Sequence, residues 1–217
     1  MKCTNCSREV LPVIALDIDG TLAQYHDHFL GFMDMYFGRV MKRGWDGSGN
    51  WEDYLGLTRS EYEDAKLAFR QGGFKRWMPS FEGLTTLMRM TAKLEVEVWI
   101  TTTRPYQRLD SVDPDTRFWL RNNGVHYDHL LYDEDKYLRL KEIVGDRVIL
   151  VLEDLPEYYE QAVSAWGSQV PIMIEREHNK AYRQMMGELD GVRSFSISRL
   201  SMVAAIIESR VERIGVS

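Results

Sequence analysis

The stretch Val10-Leu-Pro-Val-Ile-Ala-Leu-Asp-Ile-Asp-Gly-Thr-Leu22 decides the fold of this chain. Its first seven residues are almost continuously apolar, as in a β-strand buried on both faces of a sheet. Asp17 and Asp19 follow at once, and Gly20 permits a tight turn that aims both carboxylates at one point. Carboxylates this close repel each other unless a cation lies between them, and Mg²⁺ prefers oxygen ligands. The stretch therefore predicts a buried strand that ends in a metal-binding turn, whereas an isolated Asp-x-Asp would suit a solvated turn.

Strands and helices alternate along most of the remaining chain. Helices are predicted over residues 79–93, 113–123, 134–144, 156–166 and 200–214. Strands are predicted over residues 94–100, 127–132, 147–152, 170–174 and 192–197. This alternation indicates an α/β fold with a parallel sheet flanked by helices.

Polar side chains follow three of the predicted strands, and ligands bind such sheets beyond the carboxyl ends of the strands. The three groups are Asp17 with Asp19, Thr102 with Thr103, and Glu153 with Asp154. Asp is a competent nucleophile toward phosphorus and forms an aspartyl-phosphate. We therefore expect the reactive site at this edge of the sheet.

Residues 23–80 interrupt the alternation with a mostly helical pattern. Phe29, Met33 and Tyr36 recur at helical spacing, and Leu57-Thr-Arg-Ser-Glu61 is typical of a capped helix start. Gly72-Gly73 then ends that helix. We predict a small helical cap at 23–80, inserted after the first strand into a catalytic core formed by 1–22 and 81–217.

Composition narrows the class of protein. The 217 residues carry a net charge of -6 and no run of Lys and Arg, which disfavours a protein that coats nucleic acid but leaves room for a small positive pocket. The apolar run at 10–16 is too short to cross a membrane and lacks a cleavage site, so we expect a cytoplasmic protein. Cys3 and Cys6 form a single CxxC, which suits either reduced thiols or a metal site completed by a histidine or across a dimer.

The motif Asp17-Ile-Asp-Gly-Thr21 resembles the first motif of the haloacid dehalogenase superfamily. The resemblance implies a Rossmann-like core in which Asp17 is the nucleophile. It implies that Asp19 is the general acid and base, which protonates the leaving oxygen and then activates water. It also implies a Mg²⁺ held by the Asp17 carboxylate, the main-chain carbonyl of Asp19 and a later acid.

Two later segments resemble the second and third motifs of that superfamily. Val98 to Pro105 places Thr102 in the motif position, and the resemblance implies that Thr102 with nearby amides holds the phosphoryl oxygens. Thr103 and Arg104 follow it, and Arg suits phosphate. The third motif is a Lys that neutralises the nucleophile; Lys136 and Lys141 are the candidates, and the motif pattern favours Lys136.

The fourth motif is an acidic pair, and Val151-Leu-Glu-Asp-Leu-Pro-Glu157 is similar to it. Asp154 takes the metal-ligand position. Glu153 stands where many relatives have Asp or Gly, so its role is left open. Because Asp19 must carry a proton when the leaving group departs, we expect the pKa of Asp19 to be raised and that of Asp17 to be lowered.

The cap is similar to that of the 5'(3')-deoxyribonucleotidases, and with the motifs this resemblance covers about residues 13–165. It rests on Ala23, Tyr25, Phe29, Trp51, the helix start at 57–61 and the segment 74–79. It implies a small phosphomonoester substrate, a deoxyribonucleoside 5'-monophosphate. It also implies that cap aromatics hold the base, namely Tyr25, Trp51, Phe74 and Trp77. The alternative is that these aromatics form the hydrophobic core of the cap itself.

Two other functions stay open. The stretch from Arg104 through Asp113-Pro-Asp-Thr-Arg117 to Glu157 is similar to the phosphatase part of polynucleotide kinase-phosphatases, which remove 3'-phosphates from nucleic-acid ends. A catalytically silent nucleotide-binding module is the non-enzymatic alternative. The oligomeric state is open, with a homodimer as one option, although the apolar stripe of the helix at 200–214 suits packing on the sheet. His26 and His28 suit either a surface or a substrate role.

Overall fold

One parallel sheet forms the centre of the computed structural model, which describes residues 11–105, 109–190 and 196–215. Its strand order is β3-β2-β1-β4-β5-β6, and every pair of neighbours is parallel. The strands are β1 (Val13–Leu16), β2 (Glu97–Thr102), β3 (His129–Tyr132), β4 (Val148–Glu153), β5 (Pro171–Ile174) and β6 (Ser196–Ile197). The predicted parallel α/β fold is confirmed. Cys3 and Cys6 lie outside the described residues.

Strand β1 occupies the centre because all four of its residues are apolar and buried. Leu16 pairs with Ile100 of β2 on one side and with Leu152 of β4 on the other. Alternate residues pack into different cores: Val13 belongs to a cluster on one side of the sheet, and Leu16 to a larger cluster on the other. This register brings the carboxyl ends of β1, β2 and β4 side by side.

Helices cover both faces of the sheet. They are α4 (Leu84–Thr91), α5 (Val112–Asn122), α6 (Lys136–Val144), α7 (Pro156–Trp166), α8 (Lys180–Asp190) and α9 (Leu200–Gly215). Val203 and Ile207 of α9 are buried in the larger core cluster, so the apolar stripe of this helix packs within the chain as expected. Helix α8 was not predicted from the sequence; it is polar on average and contains Gly187.

The segment between β1 and α4 is helical, with α1 (Tyr25–Phe37), α2 (Trp51–Leu55), α3 (Arg59–Gln71) and a 3₁₀ helix (Phe74–Trp77). The chain enters and leaves this segment side by side: the amide of Gln24 donates to the carbonyl of Pro79 at 2.8 Å, and that of Phe81 to the carbonyl of Leu22 at 2.9 Å. The division of the chain into a core and a cap at 23–80 stays a prediction, and the segment is called the cap below.

Helix α3 begins with the predicted capping box. The Thr58 hydroxyl accepts from the amide of Glu61 at 3.3 Å, and the Glu61 carboxylate accepts from the amide of Thr58 at 2.8 Å. The helix ends at Gln71 with Gly72 as its C-cap, also as predicted. No helix in the described parts of the chain is both long enough and apolar enough to cross a membrane.

Candidate active site

Lys136 contacts the predicted nucleophile directly. Its Nζ lies 2.6 Å from Oδ1 of Asp17 and 2.7 Å from Oε2 of Glu153, and its side chain is buried. Burial alone would lower the pKa of Lys136, but the charges of Asp17 and Glu153 raise it well above its ordinary value. The other candidate, Lys141, instead pairs with Asp146 at the surface. Of the two lysines, Lys136 is therefore the one beside Asp17.

Glu153, whose role the sequence left open, makes many hydrogen bonds. Besides the contact with Lys136, its Oε2 accepts from the Tyr137 hydroxyl at 2.6 Å. Its Oε1 accepts from the amides of Asp154 and Leu155, each at 3.0 Å. This carboxylate folds back on its own loop and orients Lys136.

Asp154 is held by partners from two other segments. Thr21 donates its hydroxyl to Oδ1 at 2.7 Å, and His178 Nε2 lies 2.7 Å from Oδ2. Asn179 donates to the main-chain carbonyl of Asp154 at 2.8 Å. Gly20 has a φ of 97°, and a Cβ at this position would collide with the Asp154 carboxylate, so only glycine fits the turn.

Three buried carboxylates, those of Asp17, Glu153 and Asp154, have ligand atoms within 4.8 Å of one another. Burial raises the pKa of Asp17 well above its ordinary value. Lys136 lowers this pKa, but the charges of Glu153 and Asp154 raise it and offset part of the effect of Lys136. Burial and Glu153 likewise raise the pKa of Asp154. A divalent cation would relieve this repulsion, and hard oxygen donors fit Mg²⁺. Among the described residues Glu153 accepts two contacts on each of its oxygens, whereas Asp154 accepts one on each and Asp17 one on Oδ1 alone. Asp17 and Asp154 therefore have acceptor capacity left and are the side chains that fit as its ligands.

Asp19 departs from the expectation. Its carboxylate is paired with Lys75 and with Arg104, whose Nε lies 3.0 Å from Oδ2. Burial would raise the pKa of Asp19, but Arg104 and Lys75 lower it far below its ordinary value. The expected order of the two pKa values is therefore reversed in this structure, because two cations face Asp19 while carboxylates crowd Asp17. The Asp19 carboxylate also lies outside the acidic cluster, so any metal contact of this residue falls to its main-chain carbonyl.

The second motif lies at the end of β2. Thr102 is buried, and its hydroxyl accepts from the amide of Arg104 at 3.3 Å. Besides Asp19, the Arg104 guanidinium also binds the hydroxyl of Thr116 at 2.8 Å. Arg104, predicted as a phosphate ligand, is thus occupied by Asp19, whereas Thr103 lines a cavity between the cap and the core.

Two of the four predicted aromatics, Tyr25 and Trp51, line that cavity, which has a volume of about 360 Å³. The other two lie elsewhere. Phe74 packs on Phe32 with ring centres 4.7 Å apart, within the core of the cap, and Trp77 packs on Phe118 with ring centres 5.2 Å apart. The interpretation of the aromatics as core fits Phe74 and also Tyr25 and Trp51, which are buried in the larger hydrophobic cluster although they border the cavity, whereas Trp77 is largely exposed.

Several residues of the site were missed in the sequence. Trp45 and Tyr62 line the same cavity, and Trp45 stacks on Trp51 with ring centres 5.7 Å apart. Lys75 lies in the segment that was considered only for its aromatics; the 3₁₀ turn directs it inward to Asp19. Burial lowers the pKa of Lys75 to about 7, despite the charge of Asp19.

Two stacked histidines border the Asp154 carboxylate. The rings of His26 and His178 are 3.8 Å apart, and burial lowers the pKa of both, that of His178 to about 4. When Asp154 is ionised, as a metal ligand must be, neutral His178 can donate to it only with its proton on Nε2. His26 is half-buried and lines the same cavity as Trp51, while His28 contacts the carbonyl of Phe74 at 3.0 Å. The sequence carried no motif for His178.

Arg176 binds the main chain of the first motif. Its guanidinium donates to the carbonyls of Gly20 at 2.7 Å and Thr21 at 2.9 Å, and it stacks over the ring of Phe81. It lies just before the 3₁₀ helix Glu177–Asn179, which supplies His178 and Asn179. One short segment after β5 thus fixes both the turn of the first motif and the acid of the fourth.

The fold is that of the haloacid dehalogenase superfamily hydrolases. A predicted phosphatase from Clostridium acetobutylicum is similar with a TM-score of 0.63 and 10% identity, over 93% of this chain and 100% of that one. A superfamily hydrolase of family IA, variant 3, from Entamoeba histolytica gives 0.59 and 16% identity, over 93% and 98%. The L-2-haloacid dehalogenase from Xanthobacter autotrophicus gives 0.56 and 11% identity, over 92% and 99%.

At these identities the similarity establishes the fold and not the reaction, because the fold carries both phosphatases and a dehalogenase. No protein-family profile matches the chain. No curated protein matches it either. The reaction must therefore be argued from the site.

Proposed function

We propose that this protein is a Mg²⁺-dependent phosphomonoesterase that uses Asp17 as a covalent nucleophile. The observation that carries the proposal is the position of the Asp17 carboxylate, held 2.6 Å from the buried ammonium of Lys136 and beside the Asp154 carboxylate. A nucleophile that attacks a phosphate dianion needs positive charge beside it, which Lys136 provides and a divalent cation held by Asp17 and Asp154 would complete. We infer that residues 23–80 act as the cap over this site.

The reaction has two steps. An Asp17 oxygen attacks phosphorus, the bond between phosphorus and the leaving oxygen breaks, and Asp19 gives that oxygen a proton. Water then attacks the aspartyl-phosphate, Asp19 takes its proton, and inorganic phosphate leaves as Asp17 is regenerated. Lys136, Thr102 and nearby amides orient the phosphoryl group. Asp17, Asp154 and the Asp19 carbonyl would hold Mg²⁺, which would supply charge stabilisation to the transferred phosphoryl group.

Asp19 can donate a proton only after its ion pairs loosen. In the structure Lys75 and Arg104 both favour its ionised form. Lys75 belongs to the cap and Arg104 to the core, so a substrate that enters between them changes the partners of Asp19. We infer that substrate binding raises the pKa of Asp19 to the range that acid catalysis needs.

We further propose a nucleotide as the substrate, a deoxyribonucleoside 5'-monophosphate by the resemblance of the cap. Support comes from the cavity beside Asp19, which is lined by Tyr25, Trp45, Trp51 and Tyr62. Aromatic rings hold bases by stacking, at about 1–3 kcal/mol per base. Trp45 and Trp51 are the rings best placed for this, since they border both the cavity and each other.

The test is phosphate release from deoxyribo- and ribonucleoside 5'- and 3'-monophosphates, a 3'-phosphorylated oligonucleotide and sugar phosphates, with and without Mg²⁺. We expect Mg²⁺-dependent release that is lost in Asp17→Asn and kept in Asp64→Asn, which removes an exposed carboxylate of α3. Preference for the oligonucleotide would favour nucleic-acid end repair. Release that persists in Asp17→Asn would refute the covalent mechanism, and no release would favour the silent binding module.

A further inference from the structure

We propose that Lys66 and Arg70 form a subsite for a second phosphate group of the substrate. The inference rests on the proposed phosphomonoesterase function and deepens it. The preferred substrate is then a nucleotide with a second phosphate on its sugar, a nucleoside bisphosphate, rather than a monophosphate.

Both residues lie on one face of α3, because they are four positions apart. They line the cavity that also contains Asp19 and Thr103. They also line an adjoining cavity of about 490 Å³ that extends to Tyr158. A ligand that extends from Asp19 along these cavities into the cap therefore lies beside these two cations.

The other cations of the first cavity have carboxylate partners. Arg59 pairs with Glu52 and Glu63, each at 2.7 Å, whereas Lys75 and Arg104 pair with Asp19. Asp19 and Glu52 are the acids that line this cavity, and both are already paired with these other cations.

Lys66 and Arg70 make no ion pair with a carboxylate in the described parts of the chain. Lys66 Nζ lies 5.3 Å from the ring centre of Tyr62, and Nε of Arg70 is buried without a hydrogen-bond partner among the described residues. Buried polar groups are normally paired, so an unpaired guanidinium nitrogen beside a cavity points to an anionic ligand. Burial and then the repulsion of Arg70 and Arg59 lower the pKa of Lys66, as expected where an anion is lacking.

The chemistry of the pair favours a phosphate. A guanidinium binds phosphate oxygens through two parallel hydrogen bonds, and an adjacent ammonium adds a point charge. The transferred phosphoryl group already has its own cation, Lys136, at Asp17. Lys66 and Arg70 come from the cap and are thus placed for a group elsewhere on the substrate.

The experiment compares Lys66→Met and Arg70→Met, which keep apolar stems, with Lys42→Met. Lys42 is an exposed cap lysine over the ring of Tyr54 and lines neither cavity. The measured quantity is kcat/KM with Mg²⁺ for a nucleoside 3',5'-bisphosphate, the matching 5'-monophosphate and p-nitrophenyl phosphate. A charge-assisted hydrogen bond corresponds to about 10- to 100-fold. We expect a loss of about that size for the bisphosphate in both cavity variants, a clearly smaller loss for the other two substrates, and no change in Lys42→Met.

Three outcomes would overturn the subsite. Equal losses for bisphosphate and monophosphate would assign Lys66 and Arg70 to the transferred phosphate. Unchanged kinetics in both variants would show that Lys66 and Arg70 bind no part of these substrates. A Lys66- and Arg70-dependent preference for a 3'-phosphorylated oligonucleotide over the bisphosphate would make the ligand a nucleic-acid strand.

A binding measurement separates this inference from the proposed function. Calorimetric titration of Asp17→Asn with the bisphosphate and the monophosphate, both with Mg²⁺, requires no turnover. Tighter binding of the bisphosphate, lost when Lys66→Met is added, supports the subsite even if the wild-type protein hydrolyses nothing. Equal affinity for the two ligands refutes it even if the wild-type protein is a phosphatase. Thermal unfolding of each variant confirms that it is folded.

Discussion

Nζ of Lys136 lies 2.7 Å from Oε2 of Glu153, at the end of the strand next to the one that carries Asp17. This relationship gives Glu153 a positioning role, because the same carboxylate is tied to Tyr137 and to two amides of its own loop. Because Glu153 is fixed in this way, its contact with Nζ of Lys136 holds the ammonium group beside Asp17. Glu153 and Asp154 are adjacent acids with different tasks: the first orients a cation of the protein, and the second is suited to hold a metal ion.

Glu153→Gln should therefore lower turnover rather than metal affinity. Glutamine keeps an acceptor for the loop amides but loses the charge that orients Lys136, and loss of such a supporting partner typically costs about 10–100-fold. We expect kcat to fall by that factor while the Mg²⁺ concentration for half-maximal rate changes less than in Asp154→Asn. Glu157→Gln, an exposed acid three residues beyond Asp154, is the control. A rise in Mg²⁺ requirement equal to that of Asp154→Asn would make Glu153 a metal ligand.

Gly20→Ala should damage both the fold and the metal site. The backbone there has a φ of 97°, and an added Cβ meets the Asp154 carboxylate. We expect a loss of unfolding free energy of about 1–3 kcal/mol and a higher Mg²⁺ requirement. Gly31→Ala in the middle of α1, where nothing lies within 4 Å, should instead stabilise the protein by about 0.5–1 kcal/mol. Thermal and urea unfolding check both values, and equal effects of the two substitutions would contradict this account of the turn.

The motifs at the strand ends could be predicted from the sequence because each is local. A buried strand followed by Asp17 and Asp19 specifies its own geometry, and the same holds for the capping box of Thr58. Parallel pairing then brings the strand ends together. Lys136 was favoured over Lys141 only through the resemblance to the third motif, and it lies at the start of α6, 2.6 Å from Asp17.

The partners of those residues could not be predicted, because they depend on tertiary placement. Lys75 reaches Asp19 across 56 positions of sequence, and His178 reaches Asp154 across 24. Neither stands in a recognisable motif. The expectation for the Asp19 pKa was reversed for the same reason, since it was argued from the reaction alone without the two cations that face this carboxylate.

His178→Gln should weaken metal binding. Neutral His178 lies 2.7 Å from Oδ2 of Asp154 and orients that carboxylate. Glutamine lacks the rigid imidazole ring, so Oδ2 loses this fixed partner. We expect about 10–100-fold more Mg²⁺ to be needed for half-maximal rate, with a smaller change in kcat at saturating Mg²⁺. His129→Gln, a half-exposed histidine beside Glu97, is the matched control. An unchanged Mg²⁺ requirement would limit His178 to packing against His26.

Asp19→Asn should affect substrates according to their leaving groups. A sugar alkoxide needs a proton to depart, so loss of the acid should reduce nucleotide hydrolysis by about 10²–10⁴-fold. p-Nitrophenolate departs without a proton, and Asp17 should still be phosphorylated at a near-normal rate. The second step still lacks its base, so the aspartyl-phosphate accumulates. Rapid mixing of Asp19→Asn with p-nitrophenyl phosphate should then give a burst of one equivalent of p-nitrophenol.

The control for Asp19→Asn must also remove a buried carboxylate that forms an ion pair between the cap and the core. Asp115→Asn does so, because Asp115 is a buried core residue that pairs with Arg76 of the cap outside the reactive site. If the role of Asp19 were only to hold Lys75 and Arg104, both variants would lose stability and neither would show a burst or a dependence on the leaving group. A burst confined to Asp19→Asn is expected because the proposed mechanism assigns the proton exchange with the leaving oxygen and with water to Asp19 and not to Asp115.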